Sequence, residues 1–380
     1  MDNLTVAVLG GAGAMGRIAV RDLFQTSPFE IVVADYHADR AREVASSYAW
    51  CRVREAGVDV TDVGATARLL EGCFAVVNAV QYQLNLHVME AALAAGAHYV
   101  DLGGLYHMTL QQLDWHRRFE ERGLLALLGM GGAPGTTNLL AVKAAQGIQE
   151  LREIHIRLAA LDSESEGLDA SYSIQTILEE AARPTAVWTD GRLTFVDPLT
   201  PGGEVEFPPP IGVRNPTLTL HSEVATLPAS LGLQECTFGI DFGRGLTSSL
   251  RLLKEVGINS FEPVRVGPAE VVPHEVLLAV LRRTVRSGPA TPPRESFEVL
   301  RAIARGVADG QPVERVADCR VTGRPEWDMG LDMDTGCPPS IAVQMLARGD
   351  LTARGALPPE RAVPLEPYFA ELERRGMRVT

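Results

Sequence analysis

The first 35 residues limit the fold more than any other stretch of the chain. LTVAVL (residues 4 to 9) is a continuous apolar run, GGAGAMG is a glycine-rich turn, RIAVRDLF carries apolar residues at helical spacing, and EIVVAD is a second apolar run ending in an acid. Strand, tight turn, helix and strand in this order predict the opening of a parallel, doubly wound sheet. Gly11-x-Gly13-x-x-Gly16 is a weak signal by itself in a glycine-rich chain. Here it follows a strand and opens a helix, and Asp35 ends the next strand about 20 residues further on. Gly11 permits the turn, Gly13 lets the backbone approach a pyrophosphate, and Gly16 lets helix and strand pack closely. The first helical residues, Ala14 and Met15 with Gly16, present their amides to an anion. The Asp35 carboxylate suits a ribose 2′-hydroxyl and repels a 2′-phosphate, so NAD is favoured over NADP, although Arg40 and Arg42 follow closely.

Further alternation extends the sheet. FAVVNAV (74 to 80), HYVDL (98 to 102) and LLALLG read as buried strands, separated by the helical patterns ATARLLEG, LNLHVMEAALAAG and MTLQQLDWHRRFEERG. Uninterrupted apolar strands between helices mean a parallel sheet covered on both faces. Residues 1–130 are therefore expected to form a dinucleotide-binding domain. Beyond residue 150 the character changes. IHIRLAAL and PTLTLHSEV alternate as exposed-face strands do, GRLTFVDPL and GEVEFPPP are short strand candidates, and Ala308-Asp309-Gly310 between two strand-like runs predicts a hairpin. Helices are expected at SYSIQTILEEAA, TSSLRLLKEVG and PHEVLLAVLRRTV. Residues 131–335 thus read as a substrate and dimerisation domain of mixed α+β type, and 336–380 as a helical segment returning to the first domain.

The net charge of −13 argues against nucleic acid or an anionic membrane as the partner, because both are bound through basic patches. No apolar run reaches the length of a membrane span, and MDNLTVAVLGG lacks the basic start of a secretory signal, so a cytoplasmic location is expected. The five cysteines are scattered and never paired as CxxC, which predicts buried thiols in a reducing compartment and no metal site.

Three strand ends are placed to form a ligand crevice, since ligands lie beyond the carboxyl ends of parallel strands. The first carries Asn78, Val80, Gln81 and Tyr82. The asparagine, valine and glutamine suit the nicotinamide side of a cofactor, and the tyrosine can donate a proton or orient a carbonyl or imine. The second ends in Asp101, followed by Gly103 and Gly104, an acid suited to a cationic substrate or to general base work. The third is GMGGAPGTTN, whose Pro134, Gly135, Thr137 and Asn138 offer a rigid turn, a close backbone approach, a hydroxyl and an amide at a helix start. Arg183 and His221 are candidates for holding a substrate carboxylate.

GAGAMG with Asp35, NAVQYQLN, HYVDLGG, GMGGAPGTTNLLA, EEAARPTAVWTDGR and TGCPPSIAVQMLARGDLTARGALPPE occur in an order and spacing that resembles the saccharopine dehydrogenase-like family, and within it the lysine 6-dehydrogenase branch. The resemblance implies an N-terminal Rossmann sheet completed by a C-terminal helix, an inserted α+β domain, a homodimer, and NAD-dependent hydride transfer at a carbon–nitrogen bond of an amino acid or amine. Oxidative deamination of lysine is the first expectation, with Asp101 and Tyr82 handling amine and protons. An opine- or saccharopine-type reductase joining an amine to a carbonyl compound is the second, and a non-catalytic NAD-binding protein the third. LAALDSESEGLDASYS and TLHSEVATLP depart from the family pattern where substrate is expected. Ala133 stands where saccharopine reductases carry an aspartate.

Overall fold

The computed structural model describes residues 4–48, 52–161, 173–284 and 296–380. Most of LDSESEGLDASYS, one of the two departures from the family pattern, lies outside the described residues, as does Cys51. The other four cysteines are buried and free, as expected of thiols used as small apolar residues.

Six N-terminal strands, β1 (Thr5–Leu9), β2 (Glu30–Asp35), β3 (Val53–Gly57), β4 (Ala75–Asn78), β5 (His98–Asp101) and β6 (Leu125–Leu127), form a parallel sheet in the order β6-β5-β4-β1-β2-β3. The order reverses between β1 and β4, which is where a doubly wound sheet opens a crevice. The apolar runs are continuous because both faces are covered. Val6 and Val8 pack towards the helices Ala14–Thr26 and Met333–Arg348, whereas Ala7 and Leu9 pack towards Val63–Leu70 and Asn85–Ala95. The pattern MTLQQLDWHRRFEERG is two helices rather than one, Leu105–Leu113 and His116–Glu121, with a break that turns Phe119 into the core.

The C-terminal segment returns to this sheet in more ways than expected. Helix Met333–Arg348 lies against Ala14–Thr26 so closely that a Cβ at Gly336 would sit 2.5 Å from Ile18 Cβ. Buried Asp22 accepts hydrogen bonds from Arg375 Nε at 2.7 Å and Ser340 Oγ at 2.6 Å, tying helix Met333–Arg348 and the end of helix Leu365–Arg374 to the first one. Gly355–Leu357 then adds a seventh parallel strand beside β6. Three residues carry too little periodicity for sequence to reveal them.

The second sheet is mixed and runs in the order Arg378–Val379, Gln311–Val321, Glu298–Ala308, Glu150–Ala160, Glu235–Asp241, Thr185–Thr189, Arg192–Val196. Its long hairpin turns at Asp309 and Gly310, both left-handed with φ of 50° and 74°, the geometry that a two-residue hairpin turn demands. PTLTLHSEV is not the strand its alternation suggests. Only Thr217–Leu218 pairs with the sheet, and the chain then enters helix Glu223–Leu231. The alternation is broken because Leu220, His221, Ser222 and Glu223 are all buried between the two domains. Among the described residues no helix is long and apolar enough to cross a membrane.

Candidate active site

The first glycine turn has the local structure of an anion cradle. Gly11 donates to Ala34 O and Gly13 to Gly10 O, which folds the turn back on itself. A Cβ at Gly16 would lie 2.1 Å from Gly10 O, so the helix can approach the turn only without one. Gly13 and Ala14 are exposed and no side chain caps this helix, leaving its first-turn amides to solvent or a ligand. Asp35 lies at the end of β2, where its carboxylate accepts from the Ala12 and His37 amides at 3.2 and 3.1 Å. These residues fit a dinucleotide: orphaned amides for the pyrophosphate and a carboxylate for the ribose.

Beside this turn a cleft of about 300 Å³ separates the two sheets. Met15, Val80, Gln81, Tyr82 and Gly104 line it from the first domain, Pro134 from the loop that follows β6, and His221, Phe238 and Glu180 from the second domain. Asp332 and Asp334, at the start of helix Met333–Arg348, close one side. The crevice expected at the strand ends is therefore present, but several residues expected in it face elsewhere.

Asp101 is 1% exposed and does not line the cleft. Its carboxylate accepts from Tyr99 Oη, Asn85 Nδ2, Gln112 Nε2 and the Gly103 and Gly129 amides, so its acceptor capacity is used in joining β5 to the following loops. Burial outweighs these bonds and raises its pKa. The side chain expected to meet the amine is therefore turned away from the cleft and into this network. Asn78 likewise points inward, donating to Asn85 Oδ1 and Tyr99 Oη rather than towards a nicotinamide. Tyr82 does line the cleft, but its hydroxyl donates to Glu179, and burial followed by that bond raises its pKa. A phenol held in this way bridges the domains better than it donates a proton.

The loop GMGGAPGTTN is also partly inward. The Ala133–Pro134 peptide is cis, and Cβ atoms at Gly103 and Gly129 would lie 2.8 and 2.7 Å from Pro134 Cγ, so these glycines make room for the proline. Gly135, Thr137 and Asn138 are buried and do not line the cleft. Thr137 Oγ1 donates to Glu223 Oε1 at 2.7 Å, and Asn138 Nδ2 donates to Glu360 Oε2 at 2.9 Å. Arg183 does not line the cleft either, its guanidinium lying 4.1 Å from the Phe261 ring centroid.

The electrostatics of the cleft come mainly from residues that sequence reading did not single out. Glu180, Glu298, Asp332 and Asp334 line it, and among the described residues no lysine or arginine does. Burial raises the pKa of Asp332, and raises that of Asp334 with help from the Asp332 charge. Asp332 Oδ1 is buried without a hydrogen-bond partner among the described residues. His221 is the basic residue facing these acids. The LDMDTG segment placed its acids just before an evident helix, and HSE placed His221 two residues from Glu223. Neither spacing announces a site without the fold.

Residues 6–127 match the family described as "Saccharopine dehydrogenase NADP binding domain", and residues 131–377 match "Saccharopine dehydrogenase C-terminal domain". The carboxyaminopropylagmatine dehydrogenase of Synechocystis sp. is 24% identical over 97% of this chain and 95% of its own. The carboxynorspermidine synthase of Vibrio alginolyticus is 23% identical over 80% of this chain and 76% of its own. The apo saccharopine dehydrogenase (L-Glu forming) of Saccharomyces cerevisiae shares the fold, with a TM-score of 0.75 at 16% identity over 99% of both chains. The chain belongs to the saccharopine dehydrogenase family, and is an NAD(P)-dependent oxidoreductase acting at carbon–nitrogen bonds.

Proposed function

We propose that this protein reductively joins a cationic amine to a carbonyl compound, the opine-type reaction, rather than releasing ammonia from lysine. The observation that carries this reading is the lining of the cleft. Asp332 and Asp334 stand together at its edge, Asp332 Oδ1 is buried without a hydrogen-bond partner among the described residues, and no lysine or arginine is among the described lining residues, which favours a cationic amine as substrate. Two relatives support it, since their names describe a carboxyaminopropyl derivative of agmatine and a carboxy derivative of norspermidine.

Residues 10–16 and Asp35 would hold a nicotinamide dinucleotide, which when bound would supply the hydride for reducing a carbon–nitrogen double bond. The protein's own residues do the rest. Asp332 and Asp334 attract the amine, and the Tyr82–Glu179 contact ties the second domain to the loop after β4 at the edge of the cleft. Asp35 favours NADH in this role. A cytoplasmic homodimer completes the reading, and light scattering on the purified protein tests the dimer.

The test is NADH absorbance with agmatine or diaminopropane, a four-carbon amino-acid aldehyde, and both together. Consumption that requires both partners is expected. NADH formation from NAD and lysine alone would return the protein to oxidative deamination.

A further inference from the structure

His221 is 8% exposed, lines the cleft and stacks on Phe238 with ring centroids 3.7 Å apart and planes 6° from parallel. Its Nδ1 is engaged by Glu223 Oε2. Glu223 is wholly buried, and its other oxygen accepts from Thr137 Oγ1. The ring is therefore fixed in plane by Phe238 and in rotation by Glu223, and the carboxylate is fixed in turn by Thr137. With Nδ1 committed, Nε2 is the atom left to exchange a proton with whatever occupies the cleft.

We infer that His221, positioned by Glu223 and Thr137, is the group that moves the proton during imine formation; this rests on the amine–carbonyl reading above. Nε2 of the neutral imidazole takes a proton from the substrate ammonium, freeing its nitrogen to bond to the carbonyl carbon, and a second nitrogen proton of the adduct passes to the alkoxide oxygen to give a hydroxyl. The same Nε2–H then protonates that hydroxyl. The carbon–oxygen bond breaks, its electron pair leaves with water, and the nitrogen lone pair forms the double bond of a protonated imine. No net proton is gained or lost by the protein, so the imidazole is ready for the next cycle. The Thr137 hydroxyl gives the second glycine loop a purpose at the site without touching substrate.

The electrostatic surroundings suit this task. Burial lowers the His221 pKa, but the Glu223 charge and hydrogen bond, with the Glu180 charge, outweigh it and raise the pKa overall. Glu180, Glu298, Asp332 and Asp334 and the Tyr82 phenol are the titratable groups facing the cleft from the elements around it. A histidine held in this way changes its charge above its ordinary range, and its bonded carboxylate supports the protonated form that a proton shuttle passes through.

The experiment compares wild type, His221→Asn, Glu223→Gln and Thr137→Val in three measurements: the pH profile of amine–aldehyde condensation, the imidazole titration followed by NMR, and reduction of a preformed cyclic imine. Replacing His221 should lower condensation by about 10²–10⁴-fold, while the preformed imine, which needs no dehydration, is reduced at close to the wild-type rate. Glu223→Gln should move the His221 titration and the matching limb of the profile down by about one unit or more, and Thr137→Val should move them less. A Glu223→Gln protein that melts earlier but keeps the wild-type titration and profile would overturn the positioning role. Equal loss on condensation and on the preformed imine would overturn the proton role of His221. Wild type that reduces the preformed imine but condenses no amine–aldehyde pair would overturn the amine–carbonyl reading, and this inference with it.

Discussion

Two glycine-rich loops follow strands of the same sheet, and they do opposite things. The turn at residues 10–16 faces outward: it packs through the absence of side chains and leaves its helix uncapped. The loop at 129–138 faces inward. Its glycines fit around Pro134, its Asn138 caps its own helix through the Gly135 amide, and its hydroxyls are spent on Tyr368 and Glu223. A glycine-rich loop binds a ligand when its amides are left over, and supports one when they are used. The difference lies in the residues that open each helix, apolar alanine and methionine in the first case, two threonines and an asparagine in the second.

This contrast predicts separable effects. The largest should come from Gly16→Ala, which forces a Cβ against Gly10 O. A loss of about 1–3 kcal/mol in chemical denaturation should accompany a fall in NADH affinity measured by fluorescence. Asn138→Ala, in the second loop, should cost about 1–2 kcal/mol through the lost Gly135 and Glu360 bonds and leave NADH affinity unchanged. Equal loss of NADH affinity in both variants would erase the distinction between the loops.

Asp334, the proposed partner of the amine, lies against the second loop, where a Cβ at Gly132 would be 2.6 Å from Asp334 Oδ2. Asp334→Asn should raise the amine KM by about tenfold, and it should also change stability with a definite sign. The folded-state pKa of Asp334 is raised above its ordinary 3.8, so the native state binds more protons than the unfolded state between the two values. Stability therefore falls as pH rises through that window, and the charged acid is a burden above it in the amine-free protein. The asparagine variant should melt later than wild type in mildly alkaline buffer, with no such gain in acid. Gly132→Ala should raise the amine KM by a smaller factor, about two- to fivefold, through the displaced carboxylate. The smallest effect on the fold belongs to Asp35→Ser. It should lower melting only slightly, since a serine hydroxyl can keep one of the bonds from the Ala12 and His37 amides, and shift the ratio of NADH to NADPH efficiency towards NADPH by about tenfold.

Much of the fold was legible because the first sheet is covered on both faces, so that its strands read as unbroken apolar runs between helices. The hairpin at Asp309 and Gly310 was legible because a two-residue turn needs left-handed residues. Residues 355–357 were not, since a three-residue edge strand is defined by its neighbour and not by its own pattern. The site divides in the same way. Residues 11–16 and Asp35 form a local motif in which spacing determines geometry. Asp101 and Asn78 sit at strand ends, as a site residue should, yet their side chains turn into a hydrogen-bond network that no single-chain pattern encodes. Glu223, Asp332 and Asp334 become interesting only when helices far apart in sequence meet across the cleft.

The most direct measurement of the central claim is the mass of the product formed from a polyamine-type amine, a four-carbon amino-acid aldehyde and NADH carrying deuterium at the transferable position. The account predicts a secondary amine that joins both partners with loss of water and carries one deuterium at the new carbon–nitrogen bond. Unjoined partners, or ammonia released from lysine and NAD without any aldehyde, would contradict it.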